Sequence, residues 1–394
     1  MNDWPEELDL KKVKVLPLSK RKSMATIEET LVEPSTTPPP CDEFTSELID
    51  RCVDDIVAAK QRKATVMLIY GAHLIKNGGQ LFLCQMMDRG WISHLATNGA
   101  GIIHDWEFTH LGVSTESVRD NVATGTFGTW NETGLRIHQA LHLGGIKGWG
   151  FGKAMGKFTY EDGGFMPAAD ELEKLIRDEP GHPLTSARAD LLNAIREFQW
   201  KAGPVMVLHK YRNTSPLAQA IRHEVPLTVH PGIGYDIFTN HPVFNGSVIG
   251  RAAGTDFKVL GASVEKLEGG VVLNVGSAIM GPQVFEKSIS CVNNIRLNSG
   301  REVVRDHNIY VVDLQDGGGW DWKKGEPPKD NPAYYLRFCK SYSRMGGAMQ
   351  YVQCDNVCFL HHLFHRLETK VGRTVCKPDI PDIGNPDPAP RWAE

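Results

Sequence analysis

The sequence predicts an α/β fold, a parallel sheet flanked by helices, on three observations. Short continuous apolar runs recur along the chain, segments of helical period separate them, and small-residue turns stand beside several of the runs. A continuous run bounded by turns reads as a strand buried on both faces, whereas a half-exposed strand would alternate. Strands that take turns with helices are the pattern of a parallel sheet with crossover helices.

In chain order, Leu48, Ile49, Cys52, Val53, Ile56 and Val57 recur at helical spacing and predict a helix starting near Thr45 or Ser46. Residues 65–70 (TVMLIY) follow as a buried strand. A helix over 80–89 stops at Gly90, a natural C-terminal cap. A second strand over 92–97 runs directly into Asn98-Gly-Ala-Gly101. Further strands are expected at 205–208, 226–230, 271–275 and 309–312, with helices near 186–201, 216–223, 281–293 and 356–368.

Outside this region the composition changes. Residues 1–42 carry two lysine/arginine clusters and the stretch Pro34-Ser-Thr-Thr-Pro-Pro-Pro40, with too few large apolar residues for a core. They read as a flexible tail. Residues 371–394 are proline-rich and read as a second one. One domain of 43–370 remains, with no internal repeat. The net charge of −4 provides no global field for a nucleic acid or an anionic membrane. No apolar run reaches the roughly 20 residues of a membrane span, and the N-terminus lacks a secretory apolar stretch. Eight irregularly spaced cysteines read as reduced thiols, and the expected location is cytoplasmic.

Glycine is 39 of 394 residues, above the usual share of about 7%. Ligands of parallel α/β sheets bind where strands end, and small residues there let a phosphate approach the backbone. Tyr70-Gly71-Ala72-His73 and Thr97-Asn98-Gly99-Ala100-Gly101 follow strands, and Leu267-Glu268-Gly269-Gly270 precedes a third that continues into Asn274-Val-Gly-Ser-Ala278. Neither a strict G-x-G-x-x-G nor a Walker A loop is present, so the three turns together carry the expectation of a nucleotide site.

The chain resembles the deoxyhypusine synthase family over roughly 45–368. The resemblance lies in Met67-Leu-Ile-Tyr-Gly-Ala-His-Leu-Ile-Lys-Asn-Gly78, in Leu95-Ala-Thr-Asn-Gly-Ala-Gly-Ile-Ile-His-Asp105 and in Gly269-Gly-Val-Val272. It implies a single Rossmann-like domain that binds NAD and assembles as a homotetramer with sites between subunits. In that family NAD takes a hydride from spermidine, and an active-site lysine captures the aminobutyl group as an imine. The group then passes to a protein lysine or to another amine.

The resemblance also assigns residues. Gly71, Thr97, Asn98, Gly99, Gly101, Gly269, Gly270 and Asp355 would shape the cofactor site, and Asp236, Asn274 and His230 would bind substrate. Asp313-Leu-Gln-Asp-Gly-Gly-Gly-Trp320 is similar to the family's loop upstream of the lysine, which makes Lys340 the candidate nucleophile; a surface lysine is the bland alternative. Such a lysine must be neutral to attack, a state that desolvation favours. His104 stands where the family has glutamate, either as acid/base or as a helix-start histidine, and Asp105 keeps the neighbouring carboxylate. The family's histidine after the glycines is here Asn274, and a carboxylate is missing around His230 and Asp236. A polycation would find fewer anions here than in the family. The alternatives are therefore a divergent NAD-binding regulator, or NAD redox chemistry on another amine or an amino acid.

Cys354, Cys358, His361 and His365 recur on one helix face, but four ligands over almost three turns cannot reach one tetrahedral ion. No metal is expected, and a core-facing stripe is the simpler reading. Gly148-Trp-Gly-Phe-Gly152 reads as a packed loop, and Ser277, Ser299 and Thr126 lack any nucleophile-elbow motif.

Overall fold

A computed structural model describes residues 4–371. Six strands make one wholly parallel sheet: β1 (Val66–Tyr70), β2 (His94–Thr97), β3 (Leu227–Val229), β4 (Val271–Val275), β5 (Asn308–Asp313) and β6 (Ala348–Gln353), in the spatial order β6-β5-β4-β1-β2-β3. That is the Rossmann-like order, in which the direction of winding reverses between β1 and β4.

The apolar runs are continuous because both faces are covered. Val66, Leu68 and Tyr70 of β1 enter one core cluster, while Met67 and Ile69 enter the other. Strand β5 divides in the same way, Tyr310 and Val312 against Ile309 and Val311. Period-2 geometry thus sends alternate side chains of one run into two separate cores. The first core is closed by helices α1 (Glu43–Gln61), α2 (Gln80–Asp88) and α3 (Gly99–Leu111). The second takes Leu260 and Val264 of α4 (Gly246–Val264), then Phe285 and Ile289 of α5 (Met280–Asn298). Helix α6 (Asn356–Val371) packs beside α1 on the first face.

Four readings of the sequence are corrected. Helix α1 starts before Thr45, because Asp42 accepts from the Thr45 amide at 2.9 Å and acts as its N-cap. The strand expected at 205–208 is Gly203–Met206, and it pairs antiparallel with Gly163–Met166 outside the main sheet. This strand pair packs on a small third cluster that includes Leu172, Leu191 and Ile195. Strand β6 and helix α4 were not expected.

The fourth correction concerns the segment before α1. Residues 4–9 are exposed, but residues 10–42 lie docked along the domain and do not form a free tail. Ala25–Thr26 pairs with Val113–Ser114, and Leu18 and Ile27 are buried. The buried Arg21 guanidinium meets Glu107 through two bonds of 2.8 Å. His361, His362 and His365 of α6 reach the carbonyls of Thr36, Pro39 and Pro34 at 2.6–2.8 Å. His361 and His365 of the stripe, with His362 beside them, are thus a clamp on the proline-rich strap. Among the described residues no His/Cys/Asp/Glu group could hold a metal, and no helix is long and apolar enough to cross a membrane. The expected proline-rich tail lies, apart from Val371, outside the described residues.

Buried titratable groups give the fold a pH dependence. Burial pushes His94, His138, His142, His230, His241 and His307 down to about 3 or 4. These stay neutral when folded but protonate when unfolded, so stability is lost as pH falls from about 6.5 towards 4. Burial raises Asp105, Asp236 and Asp256 to about 6 or 7, which acts oppositely and favours the fold at low pH. His104, His209, His223 and His361 are held low by burial as well, so the lowered histidines outnumber the raised carboxylates and the net effect is a loss of stability as pH falls. The expected result is a Tm that falls steeply between pH 6.5 and 4.5; a flat or rising Tm would contradict it.

Candidate functional site

The carboxyl ends of β1 and β4 face each other at the reversal of strand order, with Tyr70 in register with Val275. A glycine follows each strand. The Gly71 amide donates to the Val275 carbonyl at 3.2 Å. A Cβ on Gly71 would stand 2.1 Å from the Gly276 carbonyl oxygen, so no side chain fits. Gly276 adopts φ +63°, and a Cβ there would meet the Asn356 amide nitrogen at 2.2 Å. Two backbones therefore approach closely, with Asn356 at the start of α6 pressed against them. The sequence marks Gly276 only as the continuation of the third strand and assigns neither Gly276 nor Asn356 to the site. The available signal was Val275-Gly-Ser-Ala278, a strand end entering a helix.

The β2 turn is built around its own cap. The Thr97 hydroxyl donates to the Tyr70 carbonyl at 3.0 Å, and Asn98 accepts from the Gly101 amide at 2.8 Å as the N-cap of α3. A Cβ on Gly101 would meet the Thr97 hydroxyl at 2.2 Å, and one on Gly99 would meet the Asp236 carboxylate at 2.1 Å. Asp236 is buried and accepts from the Gly232 amide at 2.8 Å. Its carboxylate thus closes the start of α3, the place that an incoming phosphate would need. The His230 amide donates to the Thr97 carbonyl at 2.8 Å, and its ring reaches Thr228 at 3.1 Å. The loop after β3 is thereby fastened over the β2 turn.

Other expected residues lie elsewhere. Gly269 and Gly270 precede β4, at the amino edge of the sheet, where a Cβ on Gly270 would strike the Thr65 carbonyl at 2.3 Å. A strand of five residues at about 3.3 Å each separates them from Gly276. They shape a turn and do not line the crevice. Asp105 points into the interior and accepts from the Leu217 amide at 2.9 Å. His104 meets the Ser114 hydroxyl at 2.8 Å, and Ser114 donates to Glu107 at 2.6 Å, so His104 joins the network that anchors Arg21. Burial holds the His104 imidazole below its ordinary value. Asn274 is buried and accepts from the Tyr342 hydroxyl at 3.1 Å. Asp355 caps α6, accepting from the Val357 and Cys358 amides at 2.9 and 3.0 Å.

Lys340 lies on the excursion between β5 and β6, on the helix Arg337–Tyr342. Its ammonium pairs with Glu326 and sits 3.8 Å from the centroid of the Tyr334 ring. Bonds from Lys340 and Arg344 hold the Glu326 carboxyl below its usual range. Lys340 must leave this carboxylate before its amine can act as a nucleophile.

No family model and no curated protein matches the sequence. Among solved structures, ArgZ, an arginine dihydrolase of cyanobacteria, overlaps 82% of this chain and 33% of its own, at 12% identity and a TM-score of 0.38. AgrE in a ternary complex with ornithine and NAD+ overlaps 85% and 34%, at 13% identity and a TM-score of 0.39. A protein described as a deoxyhypusine synthase from Entamoeba histolytica overlaps 84% and 88%, at 10% identity and a TM-score of 0.35. The chain spans about a third of the length of ArgZ and AgrE. Overlap this shallow assigns no family and no activity.

The sheet itself brings Gly71, Thr97, Asn98, Gly99, Gly101, His230 and Asp236 to one edge, beside Gly276 and Asn356. His73 and Lys76 stand on the short helix Ala72–Lys76 that follows Gly71.

Proposed function

We propose that this chain is an enzyme that binds NAD in the crevice between β1 and β4 and acts there on a small amine. The observation carrying this reading is the contact of Gly71 with Gly276 where the strand order reverses. Side chains are excluded there because the two strand ends pack on each other: Gly71 is buried, and the half-buried Gly276 offers the backbone that a pyrophosphate would approach. Gly71, Gly276 and Ser277 would hold the dinucleotide, with Thr97 and Asn98 on one side and Asn356 on the other. Bound NAD would supply a two-electron hydride acceptor. Saturating NAD is expected to raise Tm, by about 2.7 kcal/mol of stability at a hundredfold excess over Kd. No response to NAD would remove the reading.

The finer reading is aminoalkyl transfer from a polyamine such as spermidine through an imine on Lys340. Lys340 is paired with Glu326 at rest and must leave that carboxylate, giving up a proton to solvent, before its amine attacks. Assembly as a homotetramer and a protein lysine as acceptor go with this reading. Incubation with NAD, labelled spermidine and borohydride is expected to fix label on the wild type and at least tenfold less on Lys340→Ala. Equal label on both would overturn the assignment.

A regulatory or redox homologue is the second reading, with an amino acid or another amine as its ligand. The Glu326 ion pair and the inward-facing Asp105 and Asp236 favour it. Stabilisation by NAD without turnover of any amine would decide for it.

A further inference from the structure

The free edge of the sheet carries a cavity of about 590 Å³, lined by Phe44, Arg51, Trp320, Trp322, Lys323 and Tyr351 among others. Strand β6 is paired only with β5, so its outer side presents unpaired backbone to this cavity. Proteins cover or blunt such edges. Aromatic-walled grooves suit polyproline segments, whose backbone is already extended and loses little entropy on docking.

We propose that this cavity is the docking site of the chain's own proline-rich segment, residues 378–394. That segment holds Pro378, Pro381, Pro386, Pro388 and Pro390, with Asp379, Asp382 and Asp387 among them. The acids complement Lys323 at the rim, and beside it Arg51, which also pairs with Glu47 at 3.3 Å. The carboxylates in the cavity wall are already committed: Asp42 caps α1 through the Thr45 amide, and Asp321 accepts from the Lys323 amide. Position favours the same occupant. Arg366 pairs with Asp50 and Lys370 with Asp54, so α6 runs parallel to α1 and ends beside Asp54. Arg51 lies one turn before Asp54, about 5 Å along the helix. The seven residues from 372 to 378 span up to about 23 Å when extended, enough to enter the cavity.

The test uses the full-length chain. Carbodiimide coupling followed by peptide mass mapping is expected to join Lys323 to Asp379, Asp382 or Asp387, with a yield that does not change on dilution. The link should disappear in Pro386→Gly/Pro388→Gly, a variant that leaves the described fold untouched. In that variant trypsin should also cut after Arg391 several-fold faster than in the wild type. No link between the tail and residues 317–323 would overturn the proposal. So would a yield that falls on dilution, which would assign the cavity to a second copy, or cleavage at Arg391 at the wild-type rate, which would leave it to an external proline-rich partner.

Discussion

Gly71→Ala is expected to abolish NAD binding and to destabilise the fold by about 2–4 kcal/mol. The added methyl would stand 2.1 Å from the Gly276 carbonyl oxygen and 3.1 Å from its carbon. These are backbone atoms of a central strand end, and no side chain can swing aside to relieve the clash. Either β1 and β4 part at their carboxyl ends, or the turn after β1 is displaced. Both outcomes destroy the close approach on which the nucleotide reading rests. Gly250→Ala is the control, because a Cβ at that exposed position of α4 meets nothing within 4 Å. It should add roughly 0.5–1 kcal/mol through helix propensity and leave NAD binding unchanged. Urea unfolding and NAD titration of both variants read the two effects. Wild-type NAD affinity in Gly71→Ala would remove the crevice between β1 and β4 as the binding site.

The second large effect is expected at Arg21. Its guanidinium and the Glu107 carboxylate are both about 1% exposed and joined by two bonds, while Ser114 and Thr133 donate to the same carboxylate at 2.6 and 2.8 Å. Removing one partner leaves a buried charge uncompensated, so Arg21→Ala should cost about 3–5 kcal/mol. It should also release the strap, which trypsin would report as faster cleavage after Lys20 and Lys22. The pair as such is not the stabilising agent, because two ions must be taken out of water to form it. Arg21→Met combined with Glu107→Leu is therefore expected to recover most of the loss. A single variant as stable as the wild type would show that the strap is held without the Arg21–Glu107 pair.

Strands β1, β2, β4 and β5 were legible because they are buried on both faces and read as unbroken apolar runs. Strand β6 was not, since it lies at the edge and mixes Met349 and Val352 with Gln350 and Gln353. Helix α4 was hidden by Gly246, Gly250, Gly254 and Gly261, which lower helix propensity while its apolar face still packs. The Gly148–Gly152 stretch does pack as expected, with Phe151 buried, but there it begins a helix.

The site was less legible than the fold. A glycine next to a strand marks a tight turn, and in a wholly parallel sheet its place before or after the strand decides which edge that turn occupies. Gly71 and Gly276 follow their strands and meet; Gly269 and Gly270 precede theirs and lie at the other edge. The charged residues were harder still. Asp105, Asp236 and Asp355 occupy helix starts and loop anchors, and carboxylates that cap backbone amides look in sequence like carboxylates that bind substrate.

By itself the sequence determined the α/β class and the positions of most strands and several helices, because hydrophobic period is a local property written residue by residue. The tertiary structure alone decided the strand order, and with it the crevice where Gly71 meets Gly276. It alone decided that Arg21 finds Glu107 across 86 residues and turns an apparent tail into part of the fold. Such contacts depend on which distant groups share one desolvated place, and no local pattern in the chain records that.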